Sequence, residues 1–155
     1  MDQKILLPAL IGGVIGGVTS LGLYCLVSHG KKAKKSTIER IGTQDPRSSR
    51  VVKHGGIMYV TGQVGELDKL DESGITEQTK QTLFKIDKIL NQNGLGRERI
   101  LSARIWLKNI DTDFQAMNAV WNAWVDSQNK GVRVCTGGNL AKPSMLVEVQ
   151  ITAAL

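Results

Sequence analysis

Two charged residues near the C-terminus lie in otherwise apolar runs and are the best candidates for a polar site. Arg133 lies in the run 131–135, Gly-Val-Arg-Val-Cys, and Glu148 lies in the run 145–151, Met-Leu-Val-Glu-Val-Gln-Ile. A charge is costly to bury unless it is paired or meets a ligand. An arginine fork suits an anion, and a glutamate suits proton transfer. The two residues therefore predict either a site for a small ligand or an ion pair.

The elements that position these residues form an alternating pattern of strands and helices. Apolar runs on either side of the sequence His-Gly-Gly at 54–56 predict a hairpin, because glycine supplies the positive φ of a tight turn. Helical spacing of apolar residues predicts helices at 76–93 and 113–126. The order β-β-α-β-α-β-β predicts an α+β fold in which two helices cover one face of a mixed sheet.

The strand predicted at 100–107 and the helix that follows it show which side chains are expected in the core. On this strand Leu101, Ala103, Ile105 and Leu107 are expected on one face, and Ser102, Arg104 and Trp106 on the other. Trp121 and Trp124, in the apolar stripe of the second helix, are predicted as core or interface anchors. Apolar residues on both sides of the last strands predict that another copy of the chain covers the free sheet face.

The N-terminal segment differs from the rest of the chain in composition. No charged residue occurs at 5–27, and as a helix this run would be about 35 Å long, enough for a hydrocarbon core of about 30 Å. We predict an uncleaved transmembrane anchor there, with the lipid bilayer as its partner; a removed targeting segment is the alternative. The chain is thus divided into a short flank 1–4, the anchor 5–27, a basic linker 28–46 and a folded domain 47–155.

The lysines after this segment predict its orientation. Four lysines lie at 31–35, and basic flanks stay on the cytoplasmic side, so the domain is expected to face the cytoplasm. A Gly-rich span with a basic C-terminal flank is also similar to the signal anchors of mitochondrial outer-membrane proteins. In a bacterium the same reasoning gives an inner-membrane anchor.

The net charge of +6 is concentrated in the same segment. Five lysines before residue 36, offset by Asp2, account for +4 and leave +2 for residues 36–155. This near-neutral remainder has no broad basic footprint, so no nucleic-acid partner is expected. Cys25 and Cys135 fall in different predicted environments, and His29 and His54 have no ligand spacing with them. We predict no disulfide framework, no metal site and no cofactor.

Five segments, in the same order and spacing, resemble the Rid or YjgF-like family of reactive-intermediate (imine/enamine) deaminases. The resemblance runs from about residue 41 to the end of the chain. The segments are VVKHGGIMYVTGQ at 51–63, QTKQTLFKID at 78–87, ILSARIWL at 100–107, FQAMNAVWNAW at 114–124, and 132–154. The resemblance implies a chorismate-mutase-like fold and a homotrimer, with three sheets packed into a central barrel, helices outside and ligand clefts at the subunit interfaces.

The resemblance also implies roles for individual residues. Arg133 matches the family's arginine that grips the substrate carboxylate, and Glu148 matches the acidic residue near the attacking water. Thr61, Asn118 and Cys135 match positions that bind substrate, Cys135 mainly through its backbone. One departure concerns the first strand, where many imine-hydrolysing members carry an aromatic residue and this chain has Ser48 or its neighbours.

Each of these roles has a structural alternative. Arg133 could form an ion pair across a subunit interface, and Glu148 could pair with it, with Arg104 or with Arg50. Thr61 could be a strand former only, and Asn118 could form a helix-to-loop hydrogen bond. Cys135 is not predicted as a nucleophile, because no motif places a histidine beside it.

The implied activity is hydrolysis of a C=N bond. A 2-imino acid, the tautomer of an enamine such as 2-aminoacrylate, would give a 2-keto acid and ammonia, here at a membrane. The alternatives are a non-catalytic module that binds a small carboxylate in the same cleft, and a chaperone-like trimer. Ribonuclease activity has been proposed for some relatives, and the near-neutral domain gives it little support.

Overall fold

A computed structural model describes residues 37–155, which form a mixed sheet with two α-helices and two 3-10 turns. The helices are α1 (Ile75–Gln92) and α2 (Ile110–Trp124). The strands are β1 (Glu39–Ile41), β2 (Val51–His54), β3 (Ile57–Val60), β4 (Gln63–Val64), β5 (Ile100–Leu107), β6 (Val132–Gly137) and β7 (Val147–Ala154).

The sheet has the strand order β1-β2-β3-β7-β5-β6, and the short β4 pairs with β7. β5 and β6 are parallel and joined through α2, whereas the other pairs are antiparallel. The predicted α+β architecture with two helices is confirmed, and the sheet of one chain is open. Two short strands, β1 and β4, add to the predicted order, and β1 lies inside the segment 28–46 that we predicted as a linker.

The predicted hairpin is confirmed as β2 and β3. Gly55 and Gly56 have φ values of 59° and 79°, the positive values that a two-residue hairpin turn needs. His54 and Ile57 face each other across this turn. The turn fixes the register of β3, which then pairs with the end of β7.

The core lies between the two helices and one face of the sheet. Alternate residues of β7, Val147, Val149, Ile151 and Ala153, are buried beneath the helices. Leu83, Ile86, Ile89 and Leu90 of α1 and Met117, Trp121 and Trp124 of α2 pack against them. This face is buried because period-2 strands and period-3.6 helices bring their apolar sides together.

Gln78 in α1 is fully buried and joins two segments, the one before α1 and the one between β6 and β7. Its side-chain amide donates to the backbone carbonyls of Leu70, Ser73 and Ser144, and its Oε1 accepts the N–H of Leu146 at 2.9 Å. A buried amide must satisfy its hydrogen bonds, so this residue fixes the approach to β7. Gly74 is the residue before the helix, and no side chain caps its N-terminus.

A second polar network holds the end of α2. Arg97 donates two hydrogen bonds to the Asp87 carboxylate, at 2.8 and 2.7 Å, and one to the carbonyl of Trp124. The indole N–H of Trp124 also donates to Asp87. Trp121 lies 5.2 Å from Trp124 between ring centroids, so the predicted anchors do pack in the core.

The other face of the sheet carries exposed apolar side chains. Val132 and Val134 of β6 are 74% and 53% exposed, and Tyr59 of β3 is 45% exposed. In the register of β5 and β6, Val132 pairs with Ser102 and Val134 with Arg104. These residues therefore lie on the face that no helix of residues 37–155 covers.

The predicted membrane localisation is corrected. Within residues 37–155, no helix is both long enough and apolar enough to cross a bilayer. The anchor predicted at 5–27 lies outside the residues that the structure describes.

Candidate functional site

Arg133 lies on the edge strand β6, on the side of the sheet where the helices pack. Its Cα partner is Ala103, which is buried beneath the helices. One guanidinium nitrogen donates to Asn118 Oδ1 at 2.7 Å, and the guanidinium carbon lies 5.4 Å from the centre of the Trp121 ring. A neutral amide and an aromatic face therefore orient the guanidinium without neutralising its charge.

No carboxylate pairs with Arg133 in the described part of the chain. The ion pairs there join Arg47 to Asp45, Lys53 to Glu39, Lys85 to Glu66 and Arg97 to Asp87. The guanidinium keeps donors that can meet an anion, and a planar fork suits a carboxylate. The pairs of Glu148 with Arg133, Arg104 or Arg50 are therefore not formed within the described residues of one chain.

Asn118 and Cys135 both lie near Arg133. Asn118 lies on α2, where its amide oxygen accepts the hydrogen bond from the guanidinium. Cys135 follows two residues after Arg133 on the same side of β6 and packs partly against the core. Burial raises the pKa of the Cys135 thiol, and the positive charge of Arg133 offsets only part of that rise. A raised pKa leaves little thiolate at neutral pH, which does not favour a nucleophilic role.

Glu148 lies on β7, inside the sheet. Its backbone faces Trp106 on one side and Val64 on the other. Its neighbours Val147 and Val149 point into the core, so Glu148 points to the opposite face. Burial raises the pKa of its carboxyl group. A carboxylate that is half-buried and unpaired holds a proton more readily, as a proton-transfer group requires.

Gly62 lies directly against the Glu148 carboxylate. A Cβ at this position would be 1.8 Å from Glu148 Oε1, so only a glycine leaves the carboxylate where it is. The short strand β4 follows immediately and pairs with β7 at Glu148. The turn between β3 and β4 thus places a residue without a side chain beside the acid.

Thr61 precedes this glycine and is half-buried. Its backbone N–H donates to the carbonyl of Arg50 at 3.0 Å, which joins the end of β3 to β2. Thr61, Gly62, Ser48 and Arg50 line one cavity of about 420 Å³. Thr61 and Ser48, the latter between β1 and β2, therefore line the same cavity although they come from different segments.

The predicted site residues form two groups in one chain. Arg133, Asn118 and Cys135 lie together at the edge strand on the helix side, and Thr61 lies with Gly62, which touches Glu148. Arg133 and Glu148 point to opposite faces of the sheet, separated by β5. A single chain does not bring the two predicted catalytic residues into one cleft.

Across residues 37–155, no three His, Cys, Asp or Glu side chains lie close enough together to hold a metal ion. The Arg133 guanidinium, the Asn118 amide and the Cys135 thiol together suit an organic anion better than a metal cation.

Three contributions were not predicted from the sequence. Trp121 carries Arg133 on its ring face, Gly62 makes room for Glu148, and Trp106 lies across from Glu148 on the neighbouring strand. The helical spacing from Asn118 to Trp121 was a usable signal, since residues three apart share a helix face. The pairing of β4 with β7 had no local signal, because it joins segments more than eighty residues apart.

Comparison with known families gives one match over the described domain. Residues 37–155 match the family model described as Endoribonuclease L-PSP. Among curated relatives, the RutC family protein YoaB of Escherichia coli K12 is 39% identical over 119 residues, which is 77% of this chain and 99% of YoaB.

Two solved structures are similar in fold and sequence. The structure of NMB1025 from Neisseria meningitidis, a member of the YjgF protein family, has a TM-score of 0.70 and 34% identity, covering 78% of this chain and 97% of that one. A putative translation initiation inhibitor from Salmonella typhimurium has a TM-score of 0.68 and 37% identity, covering 77% and 98%. Both cover about the same share of this chain as YoaB does.

Proposed function

The chain belongs to the YjgF/RutC/Rid family, and we propose that it hydrolyses reactive 2-imino acids at clefts between the subunits of a homotrimer. The substrates are the imine tautomers of enamines such as 2-aminoacrylate, and the products are a 2-keto acid and ammonia. The observation that carries this proposal is the free cation of Arg133, held by Asn118 and Trp121 with no carboxylate partner in the described residues.

The first role is that of Arg133, which binds the substrate carboxylate. Two parallel N–H donors of the guanidinium meet the two carboxylate oxygens, while a third bonds Asn118. This fixes the C2 carbon relative to the protein. Since positioning alone gives large rate gains, an already facile hydrolysis needs little more than this and a proton carrier.

The second role is that of Glu148, which orients the attacking water and moves its proton. Water adds to C2 of the imine, its oxygen forming a bond to carbon as the C=N π electrons move to nitrogen. The Glu148 carboxylate takes a proton from this water and returns it to nitrogen. In the carbinolamine, Glu148 then moves the hydroxyl proton to the amino nitrogen, the C–N bond breaks, and ammonia leaves as the C=O of the keto acid forms. The raised pKa of Glu148 suits both halves of this transfer.

Arg133 and Glu148 lie on opposite faces of one sheet, so a cleft that contains both requires a second subunit. In the proposed trimer the uncovered face, with Val132, Val134 and Tyr59, packs against neighbouring subunits. Arg133 of one subunit then faces Glu148 of the next. We expect Val134→Lys, which places a charge on this face, to convert the trimer to monomers in sedimentation velocity experiments.

Turnover of 2-aminoacrylate tests the proposal. The enamine is generated enzymatically from serine, semicarbazide traps the remaining imine, and pyruvate formation is followed. We expect wild-type protein to hydrolyse the imine faster than the spontaneous reaction does, and Arg133→Ala to be slower than wild type. No rate above background, together with intact binding of pyruvate, would instead indicate the non-catalytic carboxylate-binding module. A trimer that does neither would match the chaperone-like alternative.

A further inference from the structure

A groove beside Arg133 has no role in the steps above. It has a volume of about 270 Å³ and lies between the second half of α2, the start of β6 and the floor of β5. Its walls include Ile100, Ala103, Trp121, Asn122, Val125 and Arg133. The size is close to the lower end of the range for small-molecule sites, which is about 300 Å³.

The groove is lined by apolar and cationic side chains. Ile100 and Ala103 of the floor and Trp121 of the wall are each less than a tenth exposed, and Val125 is half-buried. Arg97, Lys130 and Arg133 also line the groove, and no acidic side chain does. The charge of Arg97 is balanced by Asp87, whereas neither Lys130 nor Arg133 forms an ion pair in the described residues. Of these two cations, Arg133 is the one that Asn118 and Trp121 orient.

The walls of the groove are fixed without a ligand. Asp126 Oδ1 accepts the backbone N–H groups of Gln128 and Asn129, each at 2.8 Å, and these bonds hold the loop between α2 and β6. The hydrogen bonds from the backbone N–H groups of Asn129 and, to a smaller extent, Gln128 lower the pKa of Asp126. Its carboxylate therefore stays charged at neutral pH and keeps these hydrogen bonds. Arg97 holds the end of α2 through the carbonyl of Trp124. A pre-formed groove costs little ordering when it binds.

From this geometry we infer that the groove takes the side chain of the substrate acid whose carboxylate is held by Arg133. The favoured substrates are then 2-imino acids with a branched aliphatic side chain of about four carbons. They are preferred to the imine of 2-aminoacrylate, whose side chain is smaller. The inference rests on the proposed function and names its substrate class. Trp121, Val125 and Ala103 are the residues that determine specificity.

Binding of stable 2-keto acids by the full-length chain tests the inference without requiring turnover. Calorimetry compares pyruvate with 4-methyl-2-oxopentanoate, which adds a branched side chain to the same carboxylate. Wild-type protein is expected to bind the branched acid about tenfold more tightly, as an apolar pocket gives for a few added carbons. Val125→Trp fills the groove, so the ratio of the two affinities is expected to fall to about one.

A smaller side chain at the same position is the matched control. Val125→Ala leaves the groove open, so the preference for the branched acid is retained. If Val125→Trp does not fold by circular dichroism, Asn122→Trp introduces the same indole from an exposed position on the other part of the wall. Loss of the preference in either tryptophan variant supports the inference.

Two results overturn it. One is equal affinity of the wild-type chain for the two acids, and the other is a tryptophan variant that folds and keeps the tenfold preference. The outcome is separable from that of the proposed function. Turnover of 2-aminoacrylate without any preference refutes the groove assignment alone. A clear preference in binding without turnover of either imine refutes the enzyme and keeps the groove as a ligand site.

Discussion

Arg133 and Glu148 occupy contrasting positions in the same sheet. Arg133 is exposed on the edge strand β6, faces the helices, and is oriented by a neutral amide and an aromatic ring. Glu148 is half-buried on the interior strand β7, faces the opposite side, and is confined by Gly62. Burial raises the pKa of the acid. No such constraint is needed for an arginine, which stays charged in either environment.

The difference shows how one sheet provides two kinds of chemistry. A cation that must capture an anion from solvent works best at an exposed edge, whereas an acid that must exchange protons near neutral pH works best where burial raises its pKa. As a consequence of this separation, Arg133 and Glu148 of one chain do not lie in the same proposed cleft. A second subunit is then a chemical requirement of the site as well as a cover for apolar surface.

Removing the acid gives the largest expected effect on turnover. Glu148→Gln keeps the shape and loses the proton carrier, so we expect kcat to fall about 100-fold with KM little changed. Steady-state kinetics with the imine generated in situ measures this. A wild-type kcat in Glu148→Gln would contradict the proton-transfer role of Glu148.

The same variant has a stability signature with a definite sign. The folded state raises the pKa of Glu148, so ionisation above that pKa opposes folding, and the amide removes this penalty. We expect Glu148→Gln to melt at a higher temperature than wild type at pH 7.5. The difference should disappear at acid pH, where glutamate is protonated in both states. A lower melting temperature at pH 7.5 would show that the carboxylate stabilises the fold.

Removing the cation should affect binding next most strongly. Arg133→Ala is expected to weaken pyruvate binding about 30-fold, since hydrogen bonds to a charged group contribute about 2 kcal/mol. Arg133→Lys keeps the charge but not the fork, so its affinity should be intermediate. Arg40→Ala on β1, an exposed arginine of the opposite edge strand, is the control for loss of surface charge. Equal losses in the two alanine variants, measured by calorimetry, would refute a specific carboxylate contact.

Crowding the acid should have a smaller effect on turnover and almost none on stability. In Gly62→Ala the new Cβ overlaps the Glu148 carboxylate, which must move because the flexible side chain yields more easily than the backbone. We expect kcat to fall about tenfold through this misplacement. Gly74→Ala is the matched control, because nothing lies within 4 Å of its added Cβ. A similar kcat in the two variants would show that the position of Glu148 is unimportant.

The smallest expected effect concerns the wall beside the acid. Trp106 lies across from Glu148, where cross-strand side chains approach within about 5 Å, so we expect its ring to shield the carboxyl group from water. The wild-type rate should fall as the pH drops through the raised pKa of Glu148. In Trp106→Thr this acid limb should move to lower pH, while Trp106→Phe stays near wild type. An unchanged limb in the threonine variant would assign the burial of Glu148 to other groups.

Much of the fold was predictable because its signals are local. The hairpin at Gly55 and Gly56 and the strand Ile100–Leu107 follow from turn chemistry and alternation over a few residues. Leu101 was predicted to face the core with Ala103 but is 45% exposed. A register irregularity between Ile100 and Ser102 shifts it outward, and a bulge of this kind has no clear sequence signal.

The candidate site was predictable in its residues but not in its arrangement. The sequence predicted Arg133 and Glu148 as site residues because a charge in an apolar strand is costly to bury without a partner or a ligand. Their separation onto two faces depends on the register of β6 on β5, which turns Val132 and Val134, and not Arg133, away from the helices. The role of Gly62 depends on the pairing of β4 with β7. Both are long-range features that periodicity along the chain does not contain.

Mixing the two impaired variants tests most directly whether adjacent subunits share the site. Arg133→Ala and Glu148→Gln chains are unfolded together, refolded at equal concentrations and assayed with 2-aminoacrylate. Each interface of one Glu148→Gln chain with one Arg133→Ala chain, in the correct order, contains both residues. Random assembly of a closed ring therefore predicts recovery of about a quarter of wild-type activity. Activity no higher than that of the separate variants would contradict the shared site.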